Sequence, residues 1–407
     1  MPPTPPGSPR ALREINAARI LAALKLAGAL PHAEIARRTG LSPASVTNIV
    51  RELTAVGAVE VADSLQDGRR CRLVSRRTRP GYVLGIDIGR THLRACLADL
   101  GRHVIGESTR TMALGSPAEV GLELAEELLA EVVAAAGVSR DRLLAAGVGV
   151  PGPIHHATGT IGAGTLLPEW MGIDLPARFA QVLGVPTYVE NDANLGALAE
   201  HSWRPVRESS ASTLVYVRLA TGIGSGIVVD GELYSGATGT AGEIGHVTVD
   251  ENGPLCRCGN RGCLEAFAAP SSQVALLSSM LGRTVTVEDW VRMARAGSPA
   301  AVRLLEDMGH HIGAALANLC NLVNPDLVAL GGPITAAGRL LLEPVRAEVR
   351  RRAIPAASEF VRIEVARHAE RSAVFGAVSL ALGRVEGTDP PTLERSITVL
   401  SRTGFTS

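Results

Sequence analysis

Lysine is nearly missing from this chain of 407 residues: Lys25 is its only one, and arginine supplies the rest of the positive charge. That bias is compositional and carries no functional reading. A net charge is also missing, because 40 basic residues balance 40 acidic ones. No run of about 18 apolar residues exists, so no membrane span is expected. Met1 to Arg10 is proline-rich with no apolar core, which argues against a secretory signal peptide. Cysteine is scarce. Three of the six lie between 256 and 263, while Cys71, Cys96 and Cys320 are scattered. That pattern excludes a secreted disulfide framework and fits the reducing cytoplasm.

What is present is enough apolar residue, 46%, for a sizeable core. The length suggests two or three domains. The balanced charge is unevenly placed. Residues 1–80 hold twelve Arg and Lys25 against six acids, a net of +7, leaving −7 for the remainder. An anionic partner is therefore expected for the amino-terminal block alone.

Residues 1–9 read as a disordered tail, and 10–78 as one small domain. Ile15, Ile20, Leu21 and Leu24 recur on one helical face that stops at Gly28. Pro31 opens a short second helix ending at Thr39-Gly40. Ser42 then caps a third, with Pro43 at its first position and Val46, Val50 and Leu53 facing inward. Helix, glycine turn, helix is the helix-turn-helix arrangement. Two strands, 58–62 and 72–75, follow across Asp67-Gly68-Arg69-Arg70 and complete a winged helix. Ser45, Thr47, Asn48 and Arg51 on the outer face suit base edges and phosphates in a major groove. Arg69 and Arg70 at the wing, with Arg37, Arg38 and Arg72, suit phosphates. The plainer alternative is a helical packing module with a solvated basic face.

Beyond a charged linker, the strand Tyr82–Ile88 enters the turn Asp87-Ile88-Gly89-Arg90-Thr91. The pattern is echoed by 214–226, which carries Thr221-Gly222-Ile223-Gly224-Ser225-Gly226, and the strand ending at Pro151 is echoed by Leu327–Leu330 with Gly331-Gly332-Pro333. Two similar α/β lobes, 79–200 and 201–387, are expected, with a ligand cleft between them and a loose tail at 388–407. Asp87, Gly89, Thr91, Thr221, Gly222, Gly224, Gly331 and Gly332 are candidates for cradling phosphates. Each turn alone reads equally as a hairpin. Asp192, after a strand end and beside Asn191, is either a proton acceptor for a substrate hydroxyl or the cap of the following helix.

The densest chemistry lies between Glu243 and Glu265. His246, Cys256, Cys258 and Cys263 fall within eighteen positions, spaced by Gly259 and Gly262. One imidazole and three thiolates form a common structural zinc set, and with all four positions filled the metal is structural rather than catalytic. The alternative is a reduced cluster without metal. Asn191, Asp192, Glu243, His246 and Glu265 together offer many acceptors, which suits a ligand rich in hydroxyls such as a sugar.

From about residue 11 to 385 the chain resembles the ROK family of sugar kinases and sugar-responsive repressors. The element Gly245-His246, Cys256-x-Cys258-Gly-x-x-Gly-Cys263-x-Glu265 carries the resemblance. The resemblance implies an actin-like (ribonuclease H-like) α/β fold of two lobes, zinc at His246, Cys256, Cys258 and Cys263, and sugar contacts from Asn191, Asp192, Glu243, His246 and Glu265. It places Asp192 as the catalytic base of a kinase. The winged helix is what the family's repressors have and its simple kinases lack. One departure bears on ATP. The family's kinases carry Asp-x-Gly-Gly-Thr-Lys at the first turn, where this chain has Arg90 for the second glycine and His92 for the lysine. The expected function is a sugar-responsive regulator, a repressor of carbohydrate genes, that binds operator DNA as a homodimer or homotetramer in the cytoplasm, at the nucleoid when DNA-bound. The alternative is an ATP- and Mg²⁺-dependent sugar kinase with an added DNA arm.

Overall fold

The structure is a computed structural model that describes residues 9–55, 58–66, 69–76, 81–155, 158–162, 166–204 and 211–386. The tails expected at 1–9 and 388–407 lie outside these residues, apart from Pro9, as do the hairpin tip Asp67-Gly68 and most of the linker at 76–80. Two compact units divide between Pro80 and Gly81.

The amino-terminal unit contains helix α1 (Pro9–Ala27), the short strand β1 (Leu30–Pro31), α2 (His32–Thr39), α3 (Pro43–Ala55), β2 (Val59–Gln66) and β3 (Arg69–Arg76). Gly40 ends α2 in the left-handed conformation that glycine adopts without strain, φ 69°. The Ser42 hydroxyl accepts the Ser45 N–H at 3.1 Å and so satisfies one of the free donors at the start of α3. Ile20, Leu24, Ile35, Val46, Val50 and Val74 form the core. β2 and β3 pair antiparallel from Val59↔Arg76 to Gln66↔Arg69, and β1 adds to the far edge of β3. Both wing strands are longer than the expected 58–62 and 72–75, because pairing extends each through polar residues that carry no apolar signal.

The second unit begins with β4 (Tyr82–Ile88), β5 (His92–Asp99) and β6 (Val104–Thr111), an antiparallel meander. Helix α4 (Ala118–Ala136) crosses to β7 (Leu143–Val150), parallel to β4. The small ribbon β8 (Ile154–His155) and β9 (Thr160–Ile161) precedes α5 (Leu175–Leu183) and β10 (Thr187–Asn191), which lies parallel to β7. Next come α6 (Asp192–Ser202), β11 (Thr213–Leu219), β12 (Ile223–Val229) and β13 (Glu232–Leu233). Helices α7 (Leu264–Ala268), α8 (Pro270–Leu281), α9 (Val287–Arg295) and α10 (Pro299–Val323) lead to β14 (Leu327–Gly331). α11 (Arg339–Arg352), α12 (Pro355–Phe360), β15 (Arg362–Val365) and α13 (Ser372–Glu386) close the chain.

The two sheets have the same plan. The first runs β10-β7-β4-β5-β6 and the second β13-β12-β11-β14-β15, each an antiparallel meander extended by two parallel strands. Parallel neighbours require helical crossovers, which α4, α5, α10 and α11 supply. The repeat expected between 82–91 and 214–226 is therefore architectural: β4 and β11 occupy equivalent places. The helices that follow each sheet pack on the opposite one. Gly196 of α6 lies against the Tyr216 ring of β11, whereas Gly85 and Gly147 of the first sheet lie against the α13 backbone. Side chains at these glycines would force the layers apart. Gly376 of α13 in turn meets the Leu195 carbonyl of α6. The exchange locks the lobes around two crossing helices.

Candidate functional site

Between the lobes lies a cavity of about 470 Å³. Its walls come from the β4–β5 turn, the start of α6, the β11–β12 turn, the loop after β13, and Gly332 after β14. Asn191, Asp192, Glu243, His246 and Glu265, scattered over 75 positions, all reach it, as do Gly89, Thr91, Thr221, Gly222 and Gly224. Asp87 lies fully buried at the end of β4, and Gly331 packs on Tyr216; neither lines the cavity.

The cap of α6 is Asn191. Its Oδ1 accepts the Ala193 and Asn194 N–H groups at 2.8 and 3.2 Å, while its Nδ2 donates to the Gly152 carbonyl at 2.9 Å. Asp192 is thereby released from capping and turned toward the cleft. There Arg218 Nε meets its Oδ2 at 2.9 Å, and Arg218 Nη2 lies 4.0 Å from Asp87 Oδ2. Burial lifts the Asp192 carboxyl to about 6 although Arg218 opposes the shift. Burial also pushes the Asp87 carboxyl up, but Arg218, and after it His92, outweigh this and hold it below the ordinary range.

Arg218 was not among the expected site residues. Its signal was an arginine inside the apolar strand run Leu214-Val-Tyr-Val-Arg218-Leu219, where a charge is affordable only with a partner. Arg257, between two of the cysteines, was also missed. Its Nε contacts Glu265 Oε1 at 2.9 Å, and Glu265 Oε2 accepts the Ile223 N–H at 2.9 Å, so this carboxylate ties the cysteine loop to the second glycine turn.

The first glycine turn is closed over. The His92 imidazole sits where a β-carbon on Gly89 would project, the Gly89 N–H is bonded to the His92 carbonyl at 2.8 Å, and His92 Nε2 lies 3.7 Å from Asp87 Oδ2. Arg90 Nε is buried without a hydrogen-bond partner. In the second turn Gly222 and Gly224 face the cavity.

One ligand atom each from His246, Cys256, Cys258 and Cys263 lies within 4.8 Å of the others. Cys258 Sγ to Cys263 Sγ is 3.7 Å, and Cys256 Sγ to His246 Nδ1 is 3.7 Å. Sulfurs about 2.3 Å from a tetrahedral metal stand roughly 3.8 Å apart, so donor set and spacing fit zinc. Gly259 and Gly262, with φ 94° and 70°, bend the loop so that Cys263 returns to Cys258. His246 Nδ1 faces the cluster, and its Nε2 lies 3.9 Å from Glu243 on the cleft side. Burial raises the Glu243 carboxyl, with His246 opposing.

On α3, Thr47, Asn48 and Arg51 are exposed, with Arg51 Nη2 donating to Asn48 Oδ1 at 3.1 Å. Ser45 is half-buried and bonded to Ser42 Oγ at 2.8 Å. Arg37 and Arg38 both hold Glu34, at 2.7 and 2.6 Å, so part of their charge is internally balanced. The side chains of Arg69 and Arg70 lie outside the described residues. Among the described residues no helix is long and apolar enough to cross a membrane.

Residues 83–384 match the ROK family and residues 14–70 the MarR family. A putative xylose repressor from Caldicellulosiruptor sp. (strain Rt8B.4) is 32% identical over 92% of this chain and 97% of its own. Among solved structures, a ROK family transcriptional regulator, homologous to the E. coli Mlc protein, superposes with a TM-score of 0.78 at 24% identity, covering 92% of this chain and 97% of that one. A ROK family glucokinase from Streptomyces griseus, in complex with glucose and AMPPNP, superposes with a TM-score of 0.65 at 27% identity, over 74% of this chain and 99% of its own. With its two matching lobes, its cysteine loop and its winged-helix front end, the chain belongs to the ROK family and has that family's actin-like fold behind a MarR-type winged helix.

Proposed function

We propose that this protein is a sugar-responsive transcriptional repressor. The observation that carries the reading is that one chain joins a winged helix, with Thr47, Asn48 and Arg51 exposed on α3, to a ROK cleft whose first phosphate turn is filled by its own His92. The repressor relative aligns over 92% of the chain, winged helix included. In this reading α3 enters the major groove of operator DNA, and Arg51, Arg69 and Arg70 contact phosphates or base edges. A homodimer or homotetramer presents the paired half-sites.

The cleft receives a sugar or sugar derivative. Asp192 and Glu243 accept hydrogen bonds from its hydroxyls, and His246 Nε2 adds a third polar contact. Asn191 and Glu265 act by position, since each is already engaged by its neighbours. Zinc held by His246, Cys256, Cys258 and Cys263 supplies a rigid cross-link. The chain's own residues do the sensing: the cysteine loop fixes the His246 ring and, through Arg257 and Glu265, the second glycine turn. Coupling between cleft and operator is expected at about 1–3 kcal/mol, a 5–150-fold change in operator affinity. The test is operator binding by the full chain with and without D-xylose, D-glucose and D-glucose 6-phosphate. Operator affinity unmoved by every sugar in a broad panel refutes the reading.

A sugar kinase is the second reading, favoured by the Asp192 carboxyl at about 6 and by Gly222 and Gly224 facing the cavity. It places ATP phosphates at the two glycine turns, with Gly89 and Thr91 at the first and Thr221 and Gly332 near the second, while Asp87 and Gly331 lie behind them, off the cavity wall. His92 over Gly89 and Arg218 on Asp192 count against it. ADP release with Mg-ATP and a hexose, abolished by D192N, decides for the kinase; sugar binding without turnover decides for the repressor.

A further inference from the structure

At the floor of the cleft Asp192 meets the Arg218 guanidinium of the other lobe, and the buried Asp87 carboxylate lies just beneath them. Asp87, the residue before the last of β4, has its carboxylate oxygens shielded from solvent and without a hydrogen bond. Asp192 opens α6, and Arg218 extends from β11 between them. The Arg218 side chain is 12% exposed and that of Asp192 13%, so this ion pair is shielded from bulk water yet borders the cavity.

Resting on the sugar-binding reading above, we propose that Arg218 is a positioning residue that makes this cleft a receptor: it spends one oxygen of Asp192 on an ion pair between lobes and presents the other as a fixed hydrogen-bond acceptor for a sugar hydroxyl. Three observations converge. Arg218 Nε lies at charge-assisted hydrogen-bond distance from Asp192 Oδ2, 2.9 Å. The same guanidinium is the nearest full positive charge to Asp87, at 4.0 Å, with the His92 ring at 3.7 Å on the other side. And Asn191 takes the cap of α6, leaving Asp192 free to serve the cleft. Burial makes Asp192 more basic than an ordinary aspartate, but the guanidinium opposes this, so the carboxylate is a poorer base than it would be in the same place unpaired, while its geometry is better defined. The arrangement therefore favours binding a hydroxyl over deprotonating it. Because the pair spans the two lobes, a hydroxyl that bonds Asp192 acts directly on a contact between them.

The charged groups around Asp192 are Arg218 from β11, Asp87 from β4 and Glu243 from the loop after β13. Arg218 is the one cation in this set, so its loss raises the Asp192 carboxyl further, and the ionised acceptor persists only at higher pH.

The experiment is sugar binding by the full chain, by calorimetry from pH 5 to 8.5, for wild type, R218Q, R218K and D192N, using whichever of D-xylose, D-glucose and D-glucose 6-phosphate wild type binds. Expected are a tenfold or greater loss of affinity at pH 7 for R218Q, about the value of one charged hydrogen bond, and a pH midpoint at least one unit above wild type. R218K is expected to recover most of the affinity and the wild-type midpoint, and D192N to abolish the pH dependence. R218Q with unchanged affinity and midpoint overturns the inference. So does a pH-independent loss that R218K does not recover, which identifies Arg218 as packing alone. If R218Q does not fold, R218K and D192N decide: a wild-type midpoint unmoved by D192N overturns the inference. Wild type binding no sugar overturns the sugar-binding reading together with this one, whereas wild-type binding with an unmoved R218Q profile overturns this one alone.

Discussion

Replacing Gly262 by alanine tests whether the cysteine loop is held by a backbone path that only glycine can follow. Gly262 precedes Cys263 and has φ 70°, where alanine is strained by about 1–2 kcal/mol. A β-carbon there would also overlap the Asp250 carbonyl oxygen, a backbone atom that cannot rotate away. That overlap must be relieved by moving the loop segment Val249–Asp250 or Cys263 itself, at a further cost of about 1–3 kcal/mol, as for overpacking elsewhere. Gly259, in the same loop with φ 94°, has open space where its β-carbon would point. G259A thus carries the conformational strain without the overlap and is the internal control. G262A is expected to lose about 2–5 kcal/mol of stability and G259A about 1–2 kcal/mol.

The consequence should reach the site. Cys263 Sγ stands 3.7 Å from Cys258 Sγ, and a displacement of about 1 Å takes it outside zinc-ligand tolerance. Zinc content by elemental analysis, chelator-driven zinc release and urea denaturation of both variants make the comparison. G262A should release zinc faster and G259A should retain it near the wild-type rate. Equal stability and equal zinc retention in the two variants would falsify the argument from the Asp250 overlap. No zinc in wild type would refute the proposed metal while leaving the predicted difference in stability.

Three further outcomes follow from single contacts. S42A removes the N-terminal cap of α3 and should destabilise the winged-helix unit by about 1 kcal/mol, seen as an earlier urea transition and weaker operator binding with unchanged sugar affinity. R51A should weaken operator binding without altering sugar affinity and reduce the salt dependence of binding by about one unit of slope, measured by titration at several salt concentrations. Glu348 is buried on α11 beside Arg351, Arg352 and His310 at 2.8, 2.6 and 3.1 Å. Burial alone would raise its carboxyl, but Arg352, Arg351 and His310 together hold it at about 2. A depressed carboxyl stabilises the fold above its ordinary value of 4.5, and the stabilisation is lost as pH falls toward about 2. E348Q should therefore be less stable than wild type by about 1–2 kcal/mol at pH 7, allowing for solvent around the exposed arginines, with the gap closing below pH 4.5. A gap independent of pH refutes the ion-pair account.

Local chemistry was legible wherever it sat within a few residues. Ser42-Pro43 announced the start of α3, Gly40 the end of α2, and His246 with three cysteines announced a tetrahedral donor set before any fold was known. The repeat was legible too, because β4 and β11 are buried strands running into polar glycine turns, and such punctuation survives when the intervening residues differ. The cap of α6 was not decided by sequence, since Asn191 and Asp192 are both good caps. Asn191 takes the role because its Nδ2 also reaches the Gly152 carbonyl, a partner 39 positions away.

What sequence spacing could not carry was the exchange of helices between lobes. α6 follows the first sheet in the chain yet packs on the second, and α13 ends the second yet packs on the first. That exchange brings Asp192 at the start of α6 to Arg218 of β11, which are 26 positions apart and belong to different repeats. A reading that treats each lobe as complete assigns Asp192 to the first lobe and leaves Arg218 as an arginine inside an apolar strand. Once the helices cross, each supplies the partner the other lacks: the buried guanidinium gains a carboxylate, and the carboxylate gains a fixed orientation. The same crossing means that this pair cannot stretch without disturbing α6, whose Leu195 carbonyl meets Gly376 of α13. A ligand that alters the Asp192–Arg218 contact would therefore act on the helices that join the lobes.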